Sequence, residues 1–393
     1  MDPLTLCIVL AGLFVGWNIG ANDASNAIGT SVGSGIMNFR QAVVIVVVFA
    51  FLGAMVDGYR VMKTVGKGIV PAVECASDDP CRAINEGYYC KLPEVGETGG
   101  GVCLSGTTHK EIVYLEQDRR SVLAALAASG SFVIIITLLK LPTSTSQALV
   151  GAVAGAGVAL NVFGGMTTPI HYEVLKRIVA SWVFAPIGAA FVAYLLYYLV
   201  VTPISHIQRL LQHEHTIKYL LILSTVFVSY NIGANNVGNA MGPLVGANII
   251  PEVTWDVGYR SEAAGSFALT VNLLPALIGA FLGGVAMGLG ALMFGRGVVE
   301  TMGGGITTLD PQSALAAQIA SGVTVYIYTQ WGMPISTTQA IVGGVLGVGL
   351  TKGVSTVNLQ TMRNIIVGWI ATPTAGAILA IIYYYLLQFV FPL

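Results

Sequence analysis

Charge is what this sequence has least of. Of its 393 residues, 18 are Lys or Arg and 19 are Asp or Glu, 9% in all, against roughly 25% in an average soluble protein. With 55% apolar residues, a water-covered globule of this length could not coat its own surface, which excludes a soluble globular enzyme. Blocks of Lys and Arg are missing as well, and the formal net charge is −1. The chain therefore offers no basic face for nucleic acid. A basic leader is lacking too: Asp2 and Pro3 stand near the start, so the first apolar run is expected to stay in the mature protein.

What is there instead is long uncharged sequence. No Asp, Glu, Lys or Arg occurs in residues 121–139, 141–172, 178–208, 219–251, 263–295, 311–351 or 364–393. A helix needs about 20 apolar residues to cross the hydrocarbon of a bilayer, so several of these runs exceed one span and must contain internal breaks. Gly contributes 48 residues, and small side chains let helices approach closely within lipid. The expected fold is an all-α polytopic membrane bundle. Hydrophilic stretches are short, roughly residues 59–120, 202–218 and 252–262. The first holds Cys75, Cys81, Cys90 and Cys103. An even cysteine count in one loop fits up to two disulfides on an oxidising face, with three connectivities open. Free thiols or a metal site are the alternatives, and zinc fits worse because the close pairs of structural zinc sites are absent. Cys7 lies in an apolar run and reads as packing.

The chain also repeats itself. Asn18–Thr30 reads NIGANDASNAIGT, and the segment from Asn231 to Pro243, 213 positions later, reads NIGANNVGNAMGP, with eight of thirteen positions identical. Pro142–Gly151 (PTSTSQALVG) returns 192 positions later as Pro334–Gly343 (PISTTQAIVG), and Trp182 with Pro186 returns as Trp369 with Pro373. Thr64–Ile69 (TVGKGI) and Thr301–Ile306 (TMGGGI) fall between the first two motifs in both halves. The order is kept throughout. The chain thus divides into a first membrane repeat (1–201), including the cysteine loop at about 59–120, a polar linker (202–218) and a second membrane repeat (219–393).

Core packing alone does not call for the repeated residues. Asn and Asp are poor helix formers and expensive in lipid, yet Asn22, Asp23 and Asn26 follow Gly20 inside an apolar run, and Asn235, Asn236 and Asn239 follow Gly233. Such clusters are expected where helices are broken and polar groups line a cavity. Pro142 and Pro334 introduce further breaks, with Ser and Thr just after them placed to cap new helices. The chemistry on offer is amides, hydroxyls, helix N-termini and one carboxylate. Helix N-termini suit anions, and amide, hydroxyl and carboxylate oxygens suit hard cations. Lys and Arg are absent from both motif pairs, and Asp23 is the sole formal charge between Pro3 and Phe39. An anion bound beside Asp23 needs either a bridging cation or a proton on the carboxylate. A coupled anion symporter meets that requirement. An intramembrane enzyme does not fit, because no His or Cys stands beside the hydroxyl-rich motifs. A passive channel would use similar breaks without gradient-driven accumulation.

The paired GAND and GANN segments, Gly20–Asp23 and Gly233–Asn236, closely resemble the two signatures of the inorganic phosphate transporter family, and PTSTSQ and PISTTQ resemble its other paired elements. The resemblance runs from Asn18 through Pro373. It implies two homologous, inverted repeats with broken or hairpin helices around a central site, a multi-pass protein of the cell membrane, homodimerisation, and uptake of phosphate with sodium ions or, in some bacterial members, protons. By that resemblance Ser144, Thr145, Ser146 and Gln147, with Ser336, Thr337, Thr338 and Gln339, are expected to hold phosphate. Asn22, Asp23, Asn26, Asn235, Asn236 and Asn239 are expected to ligate sodium. Sodium is favoured over protons because only Asp23 lies deep, while His109, His171, His206, His213 and His215 fall outside the motifs. A proton-coupled symporter and a symporter for another oxyanion such as sulfate are the rival readings. Arg60, Lys63, Lys67, Arg296 and Glu300 are expected to be interfacial anchors, with gating of access or pairing across the repeats as the alternative.

Overall fold

A computed structural model describes residues 2–69, 74–75, 88–91, 101–105, 112–163, 170–201, 214–247, 249, 255–256, 270–271 and 273–391. In the first half the helices are α1 (Pro3–Ile19), α2 (Ser25–Gly33), α3 (Phe39–Val56), α4 (Gly58–Lys63), α5 (Ile112–Leu138), α6 (Thr145–Phe163) and α7 (Tyr172–Leu196). The second half has α8 (Glu214–Ile232), α9 (Gly238–Gly246), α10 (Leu273–Gly304), α11 (Pro311–Gln330), α12 (Thr337–Lys352) and α13 (Leu359–Val390). Among the described residues, eight helical segments are long and apolar enough to cross a membrane. The protein is a polytopic membrane bundle, as its composition requires. Two short antiparallel ribbons lie outside the spans: β1 (Glu74–Cys75), β2 (Tyr88–Lys91) and β3 (Gly101–Ser105) in the order β1-β3-β2, and β4 (Trp255–Asp256) with β5 (Thr270–Val271). An all-α reading therefore holds for the spans and not for these loops. The expected disulfides of Cys75, Cys81, Cys90 and Cys103, and most of the linker, fall outside the described residues and side chains.

Helix starts follow local rules. Asp2 caps α1 by accepting from Thr5 N at 2.8 Å, with Pro3 at the first helical position. Asn38 and Gln41 form a reciprocal capping box on α3, and Asp310 caps α11 ahead of Pro311. The outer wall is apolar. On α7, Phe184, Ile187 and Phe191 are exposed, and on α13 so are Ile370, Ile378 and Phe389. These are side chains suited to lipid contact.

Helix contacts mirror each other across the two halves. Helix α6 packs on α13, the last helix of the other half, and α12 packs on α7, the last helix of the first. Likewise α5 packs on α6 and on α1, as α11 does on α12 and on α8. Helix α10 runs against α1 and α2, and α3 and α4 run against α8 and α9. Close backbone approach enforces this geometry at two glycine pairs. A Cβ on Gly20 would overlap Met287 O, and one on Gly233 would overlap Ala50 O. A Cβ on Gly151 would overlap Pro373 O, and one on Gly343 would overlap Pro186 O. The last helix of each half thus lies against the helix that follows the Pro motif of the other half.

Candidate functional site

The two amide-rich motifs do not interrupt their helices in the way the sequence suggested. The chain stays helical from Pro3 to Gly33 and from Glu214 to Gly246, with a single widened π-turn at Gly20–Ala24 and at Gly233–Val237. A π-turn adds a residue to one turn and disturbs the local hydrogen-bond ladder, so polar groups can face inward without an extended segment. Ser25 Oγ donates to Gly20 O at 2.9 Å across the first of these turns. The Pro motifs behave differently. There the chain leaves the helix after Leu138 and re-enters at Thr145, and it does the same between Gln330 and Thr337. Ser336 caps α12, its hydroxyl accepting from Gln339 N at 3.1 Å, and Ser144 accepts from Gln147 N at 3.2 Å.

All fourteen residues singled out from the sequence are buried, and most are joined by hydrogen bonds. Asn22 Nδ2 donates to Thr137 Oγ1 (2.9 Å) and Leu141 O (3.1 Å), while its Oδ1 accepts from Thr143 N (3.0 Å) and Asn26 Nδ2 (3.1 Å). Asn235 Nδ2 repeats the first two bonds with Thr329 Oγ1 (3.0 Å) and Met333 O (3.0 Å). These bonds tie each hairpin tip to the π-turn of its own half. Two others cross between halves: Asn26 Nδ2 donates to Thr338 Oγ1 at 2.8 Å, and Asn239 Nδ2 donates to Ser146 Oγ at 2.6 Å. The start of α12 is thereby brought to Asn26 and the start of α6 to Asn239, each in the amide motif of the other half.

Asp23 is held by hydroxyls from both tips. Its Oδ2 accepts from Thr145 Oγ1 and from Thr145 N, the latter at 3.3 Å, and its Oδ1 accepts from Thr338 Oγ1 at 3.1 Å. Asn236, the equivalent residue, donates from Nδ2 to Thr337 Oγ1 at 2.9 Å. Several buried oxygens here meet no donor: Oδ1 of Asn26, Asn235, Asn236 and Asn239, and Oε1 of Gln147 and Gln339. Buried polar atoms are normally paired. Unpaired acceptors suit a hard cation coordinated by oxygen, and the two capped helix starts suit an oxyanion.

Some partners escaped the sequence reading. Thr137 and Thr329 bond the key amides and lie 192 positions apart, as the Pro motifs do. Carrying the repeat comparison five residues upstream of Pro142 and Pro334 would have found them. A second polar cluster had no such signal. Gln318 Nε2 donates to Thr30 Oγ1 (2.8 Å), Ser31 Oγ (2.6 Å) and Ala27 O (3.3 Å), and its Oε1 accepts from Ser224 Oγ (2.7 Å) and Thr225 Oγ1 (3.1 Å). The residue at the place of Gln318 in the first half is Leu126. Of the outlying charges, Arg296 and Glu300 pair at 3.5 Å on an exposed face, and Arg60 pairs with Asp57 at 3.5 Å. His171, exposed at the start of α7, stands apart from the site.

Known proteins resemble this chain in sequence and in fold. Residues 19–380 match the model of the phosphate transporter family. A Chlamydia muridarum protein named as a presumed phosphate permease is 30% identical over 99% of both chains. The chloroplastic inorganic phosphate transporter 2-1 of Arabidopsis thaliana is 27% identical, over 97% of this chain and 71% of its own. A solved structure named as the sodium-dependent phosphate transporter superposes with a TM-score of 0.74 at 22% identity, covering 99% of this chain and all of that one. With the family's match spanning both amide motifs and both hairpin tips, the chain belongs to the phosphate transporter family.

Proposed function

We propose that this protein is a secondary active transporter of the cell membrane that imports inorganic phosphate together with sodium ions by alternating access. In this reading residues 1–201 and 219–393 act as inverted repeats about the shared site, joined by the linker 202–218. The observation that carries it is the set of donor-free buried oxygens on Asn26, Asn235, Asn236, Asn239, Gln147 and Gln339 around the starts of α6 and α12. Sodium is the cargo suited to the Asn oxygens, and phosphate the cargo suited to the helix starts and to the amide NH2 donors of the two Gln. Ser144, Thr145, Ser146 and Gln147, with Ser336, Thr337, Thr338 and Gln339, hold phosphate. Asn22, Asp23, Asn26, Asn235, Asn236 and Asn239 ligate sodium.

Coupling follows from charge. No Lys or Arg belongs to this set, so phosphate entering beside Asp23 would meet an uncompensated carboxylate, and a sodium ion between them removes the repulsion. Binding one ion therefore strengthens binding of the other. The name of the solved structure points to the same cation. Homodimerisation belongs to the reading on family resemblance, and cross-linking in native membranes tests it.

Purified protein in proteoliposomes, given radiolabelled phosphate with sodium and pH gradients imposed separately, tests the assignment. Accumulation should require the sodium gradient and survive collapse of the pH gradient. Sodium-independent, pH-driven uptake would replace sodium by protons. Inhibition by sulfate at lower concentration than by unlabelled phosphate would replace the substrate.

A further inference from the structure

Lys140 is the one charged residue between Arg120 and Glu173. It stands at the tip between α5 and α6 with φ 59°, and it is the one non-glycine residue with a left-handed backbone among those described. Its counterpart 192 positions on is Gly332, with φ 68°. The second tip thus uses the residue that adopts this conformation freely, whereas the first retains a Cβ that crowds the backbone. Such strain persists where something else over-determines it.

The tip's backbone bonds do not require a lysine. Lys140 N donates to Thr137 O at 2.8 Å, and Lys140 O accepts from Thr301 Oγ1 at 3.0 Å. Glycine would make both. What glycine lacks is the ammonium group. The Lys140 side chain is exposed and its stem lies over Gly297 of α10, where an added Cβ would come within 2.9 Å of Lys140 Cγ. No described carboxylate pairs with it. The other tip is arranged in exchange: the position of Gly297 is filled by Arg60, whose backbone packs against Gly332 and whose side chain is engaged by Asp57. Of these two basic residues, only Lys140 is left without an acid. It also directly precedes Leu141, whose carbonyl grips Asn22.

We infer that Lys140 is an entrance residue that draws phosphate into the site from the side on which this tip is exposed, standing beside the binding cradle and not within it. The inference rests on the phosphate-transport reading. Its test is initial-rate phosphate uptake by wild type, Lys140→Gly, Lys140→Gln and Lys140→Arg in proteoliposomes at fixed sodium, with choline chloride setting the ionic strength, alongside melting temperatures. Lys140→Gly and Lys140→Gln should raise the phosphate KM about 3- to 10-fold at low ionic strength, a gap that narrows as salt screens the charge. Lys140→Arg should keep the wild-type KM. Lys140→Gly should also melt higher than wild type, because glycine relieves the left-handed backbone, so its weaker affinity would not come from misfolding. A wild-type KM in both neutral variants, or a KM rise indifferent to salt, overturns the inference alone. Absence of phosphate uptake by the wild type overturns the transport reading, and this inference with it.

Discussion

Around Asn22 and Asn235 the two halves of the molecule are near copies. Each amide donates to a threonine five residues before a proline and to a carbonyl of the same tip. One residue on they part: Asp23 gathers hydroxyls from both tips, while Asn236 reaches one. Farther out, Gln318 knits α2, α8 and α11 together, where the equivalent places hold Leu126, Leu244 and Gly12. Tyr230 donates to Asp57 at 2.6 Å, where the other half has Trp17 edge-on to Phe294 at 5.1 Å. The bonds that fasten tips to π-turns are alike in both halves, while charge and polarity differ. The frame is symmetric and its chemistry is not, so under the proposed assignment the two cation positions differ in affinity.

The most severe way to break this comparison is to remove its one charge. Asp23→Ala should lower sodium-driven phosphate uptake at least about 100-fold, because a lost buried carboxylate costs several kcal/mol once its partners are stranded. Asn236→Ala should cost nearer 10-fold, since neutral buried hydrogen bonds contribute about 0.5–1.5 kcal/mol. Equal losses in the two uptake assays would erase the asymmetry. Next come the hydroxyl partners. Thr145→Val removes a donor to a carboxylate, worth about 1.5–3 kcal/mol, whereas Thr337→Val removes an acceptor for a neutral amide. Sodium titration of uptake should show the larger rise in half-saturating sodium for Thr145→Val.

The polar cluster sharpens the comparison from outside the site. Gln318→Leu gives the second half the residue of the first and should lower stability by about 1–2 kcal/mol through the lost bonds to Thr30, Ser31, Ser224 and Thr225. The reciprocal Leu126→Gln buries an amide with no partner and should cost as much or more. Thermal unfolding in detergent measures both. The smallest effect belongs to Asp310, which caps α11 outside the spans and bonds Lys352 Nζ at 2.5 Å. Burial pushes its carboxyl up, but the bonds from Lys352 and Ser313 outweigh this and hold it below the usual aspartate range. Its contribution is therefore complete above that range and disappears as pH falls through the lowered value. Partly exposed pairs contribute under about 1 kcal/mol. Comparing acid unfolding of wild type and Asp310→Asn should reveal a small difference that vanishes at the acid end.

Much of this was legible in the sequence because repetition marks function that composition hides. Asn22 and Asn235, or Ser144 and Ser336, stand out as polar residues that recur in register inside apolar runs, where packing gives no reason for them. The same logic fails where the halves differ. Gln318, Asp57 and Tyr230 have apolar or aromatic counterparts, so no repeat search finds them, and only three-dimensional proximity joins Gln318 to Ser31. Periodicity also could not tell a π-turn from an unwound break. Both place Gly and Asn inside an apolar run, and the choice depends on whether the freed backbone and the amides find partners while the helix continues, as Ser25 Oγ does for Gly20 O and Thr137 and Leu141 do for Asn22.

Sodium binding to the unequal halves tests the central claim most directly. Paired uptake of labelled sodium and labelled phosphate should be measured in proteoliposomes of wild type, Asp23→Asn and Asn236→Asp. The account predicts that the wild type takes up each ion only with the other, that Asp23→Asn loses sodium affinity, and that Asn236→Asp gains it. Phosphate uptake without sodium in the wild type, or unchanged sodium affinity in both variants, would contradict it.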